Sequence, residues 1–141
     1  MVEAVEPAMV TIRMLAERYD TFLFDCDGVV WQANEEIGHA FRAIEWLESE
    51  GKNVFFVTNT ASKTSIECVN KMKGMGYTGA KESHTYTMAT VTSKYIKKKF
   101  PEVRKVFAIG VKAIRDSLEE QGIEVLGADQ VIIPAETHLS A

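Results

Sequence analysis

Cysteine is scarce in this 141-residue chain, with only Cys26 and Cys68 present. Two cysteines make no disulfide framework, and a reducing cytoplasmic compartment is the simplest expectation. Histidine is nearly as sparse. His39, His84 and His138 share no metal-ligand spacing with one another or with a cysteine, so surface or capping roles are expected. No apolar stretch approaches membrane-spanning length. The first twenty residues carry Glu3 and Glu6 and lack the apolar centre of a signal peptide. Positive charge is not in excess. A net charge of -4 argues against general binding to nucleic acid or anionic membranes. The run Lys97-Lys98-Lys99 reads as the solvated end of a helix, favoured there by the helix dipole. Internal repeats and low-complexity linkers are also missing.

What is present is enough apolar material, 46% of residues, for one buried core. The pattern alternates between strand and helix. Short apolar runs at 21–24, 53–57, 105–109 and 123–126 read as strands. Helices are expected over 11–18, 39–50, 63–75, 86–99 and 112–121. Ala40, Ile44 and Leu47 mark the apolar face of the second, with Phe41 at its edge, and Gly51 ends it. Ile66, Val69 and Met72 mark the third, and Thr64 and Glu67 have capping-box spacing at its start. Met88, Val91, Tyr95 and Ile96 mark the fourth, and Pro101 breaks the pattern after it. This order predicts an α/β fold with a mainly parallel sheet.

Chemistry concentrates at two strand ends. Asp25-Cys26-Asp27-Gly28 closes the run Thr21-Phe22-Leu23-Phe24. Residues two apart on a strand share a face, so Asp25 and Asp27 would emerge together where open α/β sheets bind ligands. Two close carboxylates repel, and a divalent cation, a shared proton or a phosphate-activating role would each account for them. A strand end followed by an ordinary Asp-Gly turn accounts for the same letters. A calcium loop does not, because Val29, Val30 and Trp31 follow where further oxygen ligands are needed. Cys26, between the aspartates, should point to the opposite face as a small core residue, and Cys68 should be buried likewise. Trp31 either packs or lines the site mouth.

The second end is Thr58-Asn59-Thr60, after Asn53-Val54-Phe55-Phe56-Val57. About thirty residues separate the two ends, which suits one βαβ unit with neighbouring strands. A hydroxyl, an amide and turn N–H groups beside the aspartates suit phosphate oxygens. A polar cap for the next helix is the alternative reading of these threonines. Gly110, between a strand and a helix, is a weaker candidate for a phosphate-binding turn.

The segments FLFDCDGVVW and VFFVTNTASK resemble the first two motifs of the haloacid dehalogenase superfamily of phosphohydrolases. Trp31 and the pair Ser62-Lys63 are similar to the NagD-like branch with 4-nitrophenylphosphatase, phosphoglycolate phosphatase and pyridoxal phosphatase. The resemblance implies a Rossmann-like core and a magnesium-dependent phosphomonoester hydrolase acting on a small phosphorylated metabolite through an aspartyl-phosphate. It implies Asp25 as nucleophile and Asp27 as general acid and then base. The Asp25 carboxylate and the Asp27 backbone carbonyl would ligate Mg2+. Thr58, Asn59 and Thr60 would contact substrate, although the family often has asparagine where this chain has Thr60.

The family also uses a later lysine and a later acidic pair. Lys63 belongs to the Ser-Lys pair of the second motif, and Asp129 is followed by Gln130-Val131-Ile132-Ile133. The chain is therefore expected to be the N-terminal part of a longer phosphatase. Residues 1–100 would be the first part of the core and residues 101–141 the beginning of an inserted α/β cap. A full-length member is expected to pair as a homodimer through that cap. Two other readings stand beside this one: a truncated, non-catalytic module that binds phosphate, metal or a partner, and a phosphotransferase or phosphomutase using the same aspartyl-phosphate.

Overall fold

A computed structural model describes residues 11–128. Glu3, Glu6, Asp129, His138 and the rest of 129–141 lie outside the described residues. Helix α1 (Ile12–Ala16) leads into strand β1 (Thr21–Phe24). A two-stranded antiparallel ribbon, β2 (Trp31–Gln32) and β3 (Glu35–Glu36), comes next, followed by α2 (Ala40–Ser49). Then come β4 (Asn53–Thr58), α3 (Ser65–Gly74), β5 (Thr85–Thr87) and α4 (Met88–Lys99). The described residues end with β6 (Lys105–Ala108), α5 (Lys112–Glu119) and β7 (Glu124–Gly127).

The first sheet is parallel, in the order β1-β4-β5, with Phe24 level with Phe56 and Thr58 level with Thr87. All three strands therefore end on one side. Alternation divides the sheet's two faces. Phe22, Phe24, Val54 and Phe56 join the main core with Phe41, Ile44 and Leu47 of α2 and Val69 and Met72 of α3. The opposite face carries Leu23, 70% exposed, and Val57, 40% exposed. β6 and β7 form a separate parallel pair. Their own cluster is built on Leu118, Ile123 and Val125, with Ile96 of α4 packed against it.

The expected helices and strands are all present, and the differences lie in phase and in short elements. Phe41 is fully part of the core, stacked on Tyr77 with ring centroids 5.1 Å apart. His39 makes no side-chain cap on α2, and Glu36 Oε1 accepts the Phe41 N–H at 2.7 Å in that role. Ile66 is exposed, because α3 turns Ser65, Cys68, Val69 and Met72 inward instead. The apolar stripe expected on α4 is also rotated. Met88, Val91 and Tyr95 are exposed, while Ala89, Thr90 and Ser93 are buried. Small hydroxyl residues fit this seam because they satisfy one another: Ser65 donates to Thr90 Oγ1 at 3.0 Å, and Thr87 and Thr90 hydroxyls lie 3.1 Å apart. The expected helix over 86–99 begins only at Met88, since Thr85–Thr87 pairs with β4.

The capping box at α3 is formed. Glu67 N–H donates to Thr64 Oγ1, and Glu67 Oε2 accepts the Thr64 N–H at 2.7 Å. Thr64→Ala is expected to lower stability by about 1 kcal/mol, measured by urea unfolding. An unchanged midpoint would show that the box contributes nothing.

Candidate active site

The parallel register brings the ends of β1 and β4 side by side. Asp25 follows β1 by one residue, and its Oδ1 accepts the Cys26 N–H at 2.7 Å. Beyond it the chain folds into a tight loop. The Cys26 carbonyl accepts N–H groups from Val29, Val30 and Trp31, and Gly28 N–H donates to the Trp31 carbonyl at 2.7 Å. Gly28 has φ of +83°, a left-handed conformation that a side chain would strain. Asp25 and Asp27 are both exposed, and Cys26 between them is fully buried on the other side, as strand alternation requires.

Burial, then Cys68 and the two carboxylates, push the Cys26 thiol up to about 12. Burial likewise raises Cys68 to about 11. Both thiols are free and inert by this environment. A thiol raised in the folded state stabilises below its unfolded value, and that contribution is lost as pH climbs through the folded value. Stability from these cysteines therefore falls from the ordinary 9.0 towards 11 and 12. A Cys26→Ala/Cys68→Ala variant is expected to lose less stability than the parent between about pH 8 and about pH 10, read from urea midpoints. Equal losses would contradict it.

Asp27 is held by two groups. Its Oδ1 accepts the Trp31 indole N–H at 2.6 Å and lies 3.8 Å from Lys71 Nζ. The Lys71 ammonium also sits 4.6 Å from the centre of the Trp31 ring. Trp31 is 1% exposed, so it packs. Lys71 is the residue that sequence reasoning missed. Its only signal was a lysine three positions after Cys68 on the same helix, and helical spacing alone does not show which strand loop that face meets.

At the end of β4, Thr58 is buried and its Oγ1 accepts the Thr60 N–H at 3.2 Å. Its own hydroxyl hydrogen is left to donate. Asn59 is exposed. Thr60 is half-buried and more occupied: its hydroxyl lies 2.9 Å from Ser62 Oγ, and its carbonyl accepts the Met88 N–H at 2.9 Å. Asp25, Asp27, Thr58, Asn59 and Thr60 thus lie on two neighbouring strand ends. Gly110 lies after β6, in the separate strand pair. His84 is used elsewhere, its Nδ1 3.0 Å from the Val54 carbonyl. Among the described residues, no group of three or more His, Cys, Asp or Glu side chains is placed to hold a metal ion.

A sequence model of the haloacid dehalogenase-like hydrolases matches residues 22–124. The chain belongs to this family. Relatives within it are named phosphatases. Phosphoglycolate phosphatase 2 of Arabidopsis thaliana is 32% identical over 119 residues, covering 84% of this chain and 40% of that protein. The 4-nitrophenylphosphatase of Schizosaccharomyces pombe is 35% identical over 113 residues, covering 79% of this chain and 38% of its own length. The chain therefore spans about 40% of the length of these relatives. A glycerol phosphate phosphatase from Mycobacterium tuberculosis, solved in complex with magnesium, has the same fold with a TM-score of 0.68 at 22% identity. That match covers 79% of this chain and 33% of the solved one. Family membership accounts for the parallel, Rossmann-like sheet.

No described helix is long and apolar enough to cross a membrane.

Proposed function

We propose that this chain supplies the nucleophile-bearing part of a magnesium-dependent phosphomonoesterase acting on a small phosphorylated metabolite. The observation that supports it most is the acidic loop after β1 lying beside the Thr58-Asn59 turn after β4, in a member of a phosphatase-containing family. Asp25 is the nucleophile. Its carboxylate oxygen attacks phosphorus, the bond from phosphorus to the ester oxygen breaks, and Asp27 gives that leaving oxygen a proton. Water then attacks the aspartyl-phosphate, Asp27 takes its proton, and phosphate leaves with the Asp25 carboxylate restored. Thr58 donates its hydroxyl hydrogen to a phosphoryl oxygen, and Asn59 and Thr60 orient the substrate.

The donor set suits magnesium, because Asp25 is an exposed carboxylate whose Oδ2 has no hydrogen bond among the described residues. The Asp25 carboxylate and the Asp27 backbone carbonyl are the ligands this stretch contributes. Bound magnesium would screen the repulsion between the carboxylate and the phosphoryl oxygens. Residues from 101 onward are read as the start of a cap that selects substrate, and homodimer formation belongs to that part of the full-length protein.

The test is hydrolysis of 4-nitrophenyl phosphate by the full-length protein with magnesium and after chelation. Turnover that needs magnesium is expected. Turnover indifferent to chelation would overturn the metal assignment, and none with magnesium would overturn the phosphatase reading.

A further inference from the structure

Asp27 is half-exposed, yet its carboxylate is not left to choose its own rotamer. Two side chains from different elements converge on one oxygen. The Trp31 indole N–H meets Oδ1 at 2.6 Å, short for an N–H donor, as a charged acceptor favours. The Lys71 ammonium, from α3, stands 3.8 Å from that same Oδ1. Lys71 is itself fixed, since its side chain is only 16% exposed and its charge lies over the Trp31 ring. The backbone adds a third restraint, because Asp27 and Trp31 are bridged across the Gly28 turn. Oδ2 keeps no hydrogen bond among the described residues.

We infer that Trp31 and Lys71 form a positioning pair that clamps Asp27 through Oδ1 and presents Oδ2 for proton transfer at the site. The inference rests on the role given to Asp27 in the proposed reaction. A carboxylate that must first donate and then accept a proton gains from a fixed orientation, since a displacement of about 1 Å can cost about a hundredfold in rate. A tryptophan donor and a lysine stacked on it suit this task. Neither gives up its proton to the reaction, and the ring shields the ammonium from water.

The experiment has two readouts. The chain holds two tryptophans, Trp31 and Trp46, so the indole N–H resonances of the 141-residue chain are assigned with one Trp46→Phe variant. The Trp31 resonance should lie downfield. It should move upfield in Asp27→Ala, move measurably in Lys71→Met, and return in Lys71→Arg. No movement in Lys71→Met would overturn the clamp. The second readout is kinetic, on the full-length protein with a phosphorylated alkyl alcohol as substrate. Lys71→Met and Trp31→Phe should each lower kcat by about ten- to a hundredfold with KM within about twofold, and Lys71→Arg should recover most of the loss. Trp31→Phe keeps an aromatic ring under the ammonium but removes part of the buried indole along with the donor, so the recovery in Lys71→Arg, which leaves Trp31 intact, separates positioning from packing. Unchanged kcat in both variants, or a loss confined to KM, would overturn the positioning role. Failure of the proposed reaction itself would show differently, as activity surviving in Asp25→Asn while the Trp31 resonance still responds to Asp27 and Lys71.

Discussion

Asp25→Asn in the full-length protein is expected to lower turnover of any phosphomonoester by at least about a thousandfold. The amide keeps the size of the carboxylate and its ability to accept the Cys26 N–H, but it cannot attack phosphorus. Asp25 is exposed at the end of β1 and supports no core contact, so stability should change by less than about 0.5 kcal/mol. The two readings together separate chemistry from folding. A variant that unfolds at the parent's urea concentration and has lost its turnover fits the assignment. One that keeps parental turnover contradicts it.

Asp27→Asn should have the second-largest effect, and its size should depend on the leaving group. General acid catalysis contributes about 10²- to 10⁴-fold, and most where the leaving oxygen is strongly basic. The loss should therefore approach the upper figure with an alkyl phosphate and shrink with 4-nitrophenyl phosphate, whose phenolate leaves readily without a proton. The amide oxygen introduced by this substitution can still accept the Trp31 N–H, so the loop should keep its shape. The comparison is made on kcat/KM, which reads the phosphorylation step, and equal losses there on the two substrates would contradict proton donation by Asp27.

The fold was largely legible in the sequence because its main strands are short apolar runs and its helices carry apolar faces. Which face of the sheet is buried was not legible, since Leu23, Phe55 and Val57 alternate with Phe22, Phe24, Val54 and Phe56 in runs apolar on both sides. Cys26 and its flanking aspartates were legible, since alternation continues one step past β1. The helix α4 was read with the right period but the wrong phase. Met88, Val91 and Tyr95 face outward, Ile96 alone of the expected stripe packs inward, and a seam of Thr90 and Ser93 hydroxyls is buried, which hydrophobicity does not reveal. β5 escaped because three residues, Thr85-Tyr86-Thr87, carry too little pattern without their partner strand. The ribbon at Trp31 and Glu35 escaped for a like reason. Within the site, the aspartates and the Thr58 turn were visible as motifs. The approach of Lys71 to Asp27 was not, because it depends on how α3 packs against the loop after β1.

The most direct measurement is to quench the full-length protein in acid during turnover with magnesium and to locate the covalent phosphoryl group by peptide mass spectrometry. The phosphoryl group is expected on Asp25, absent in Asp25→Asn and accumulating in Asp27→Asn with 4-nitrophenyl phosphate, where the loss of the base slows the second step. A phosphoryl group on any other residue, or steady turnover with no covalent phosphate at all, would contradict the account.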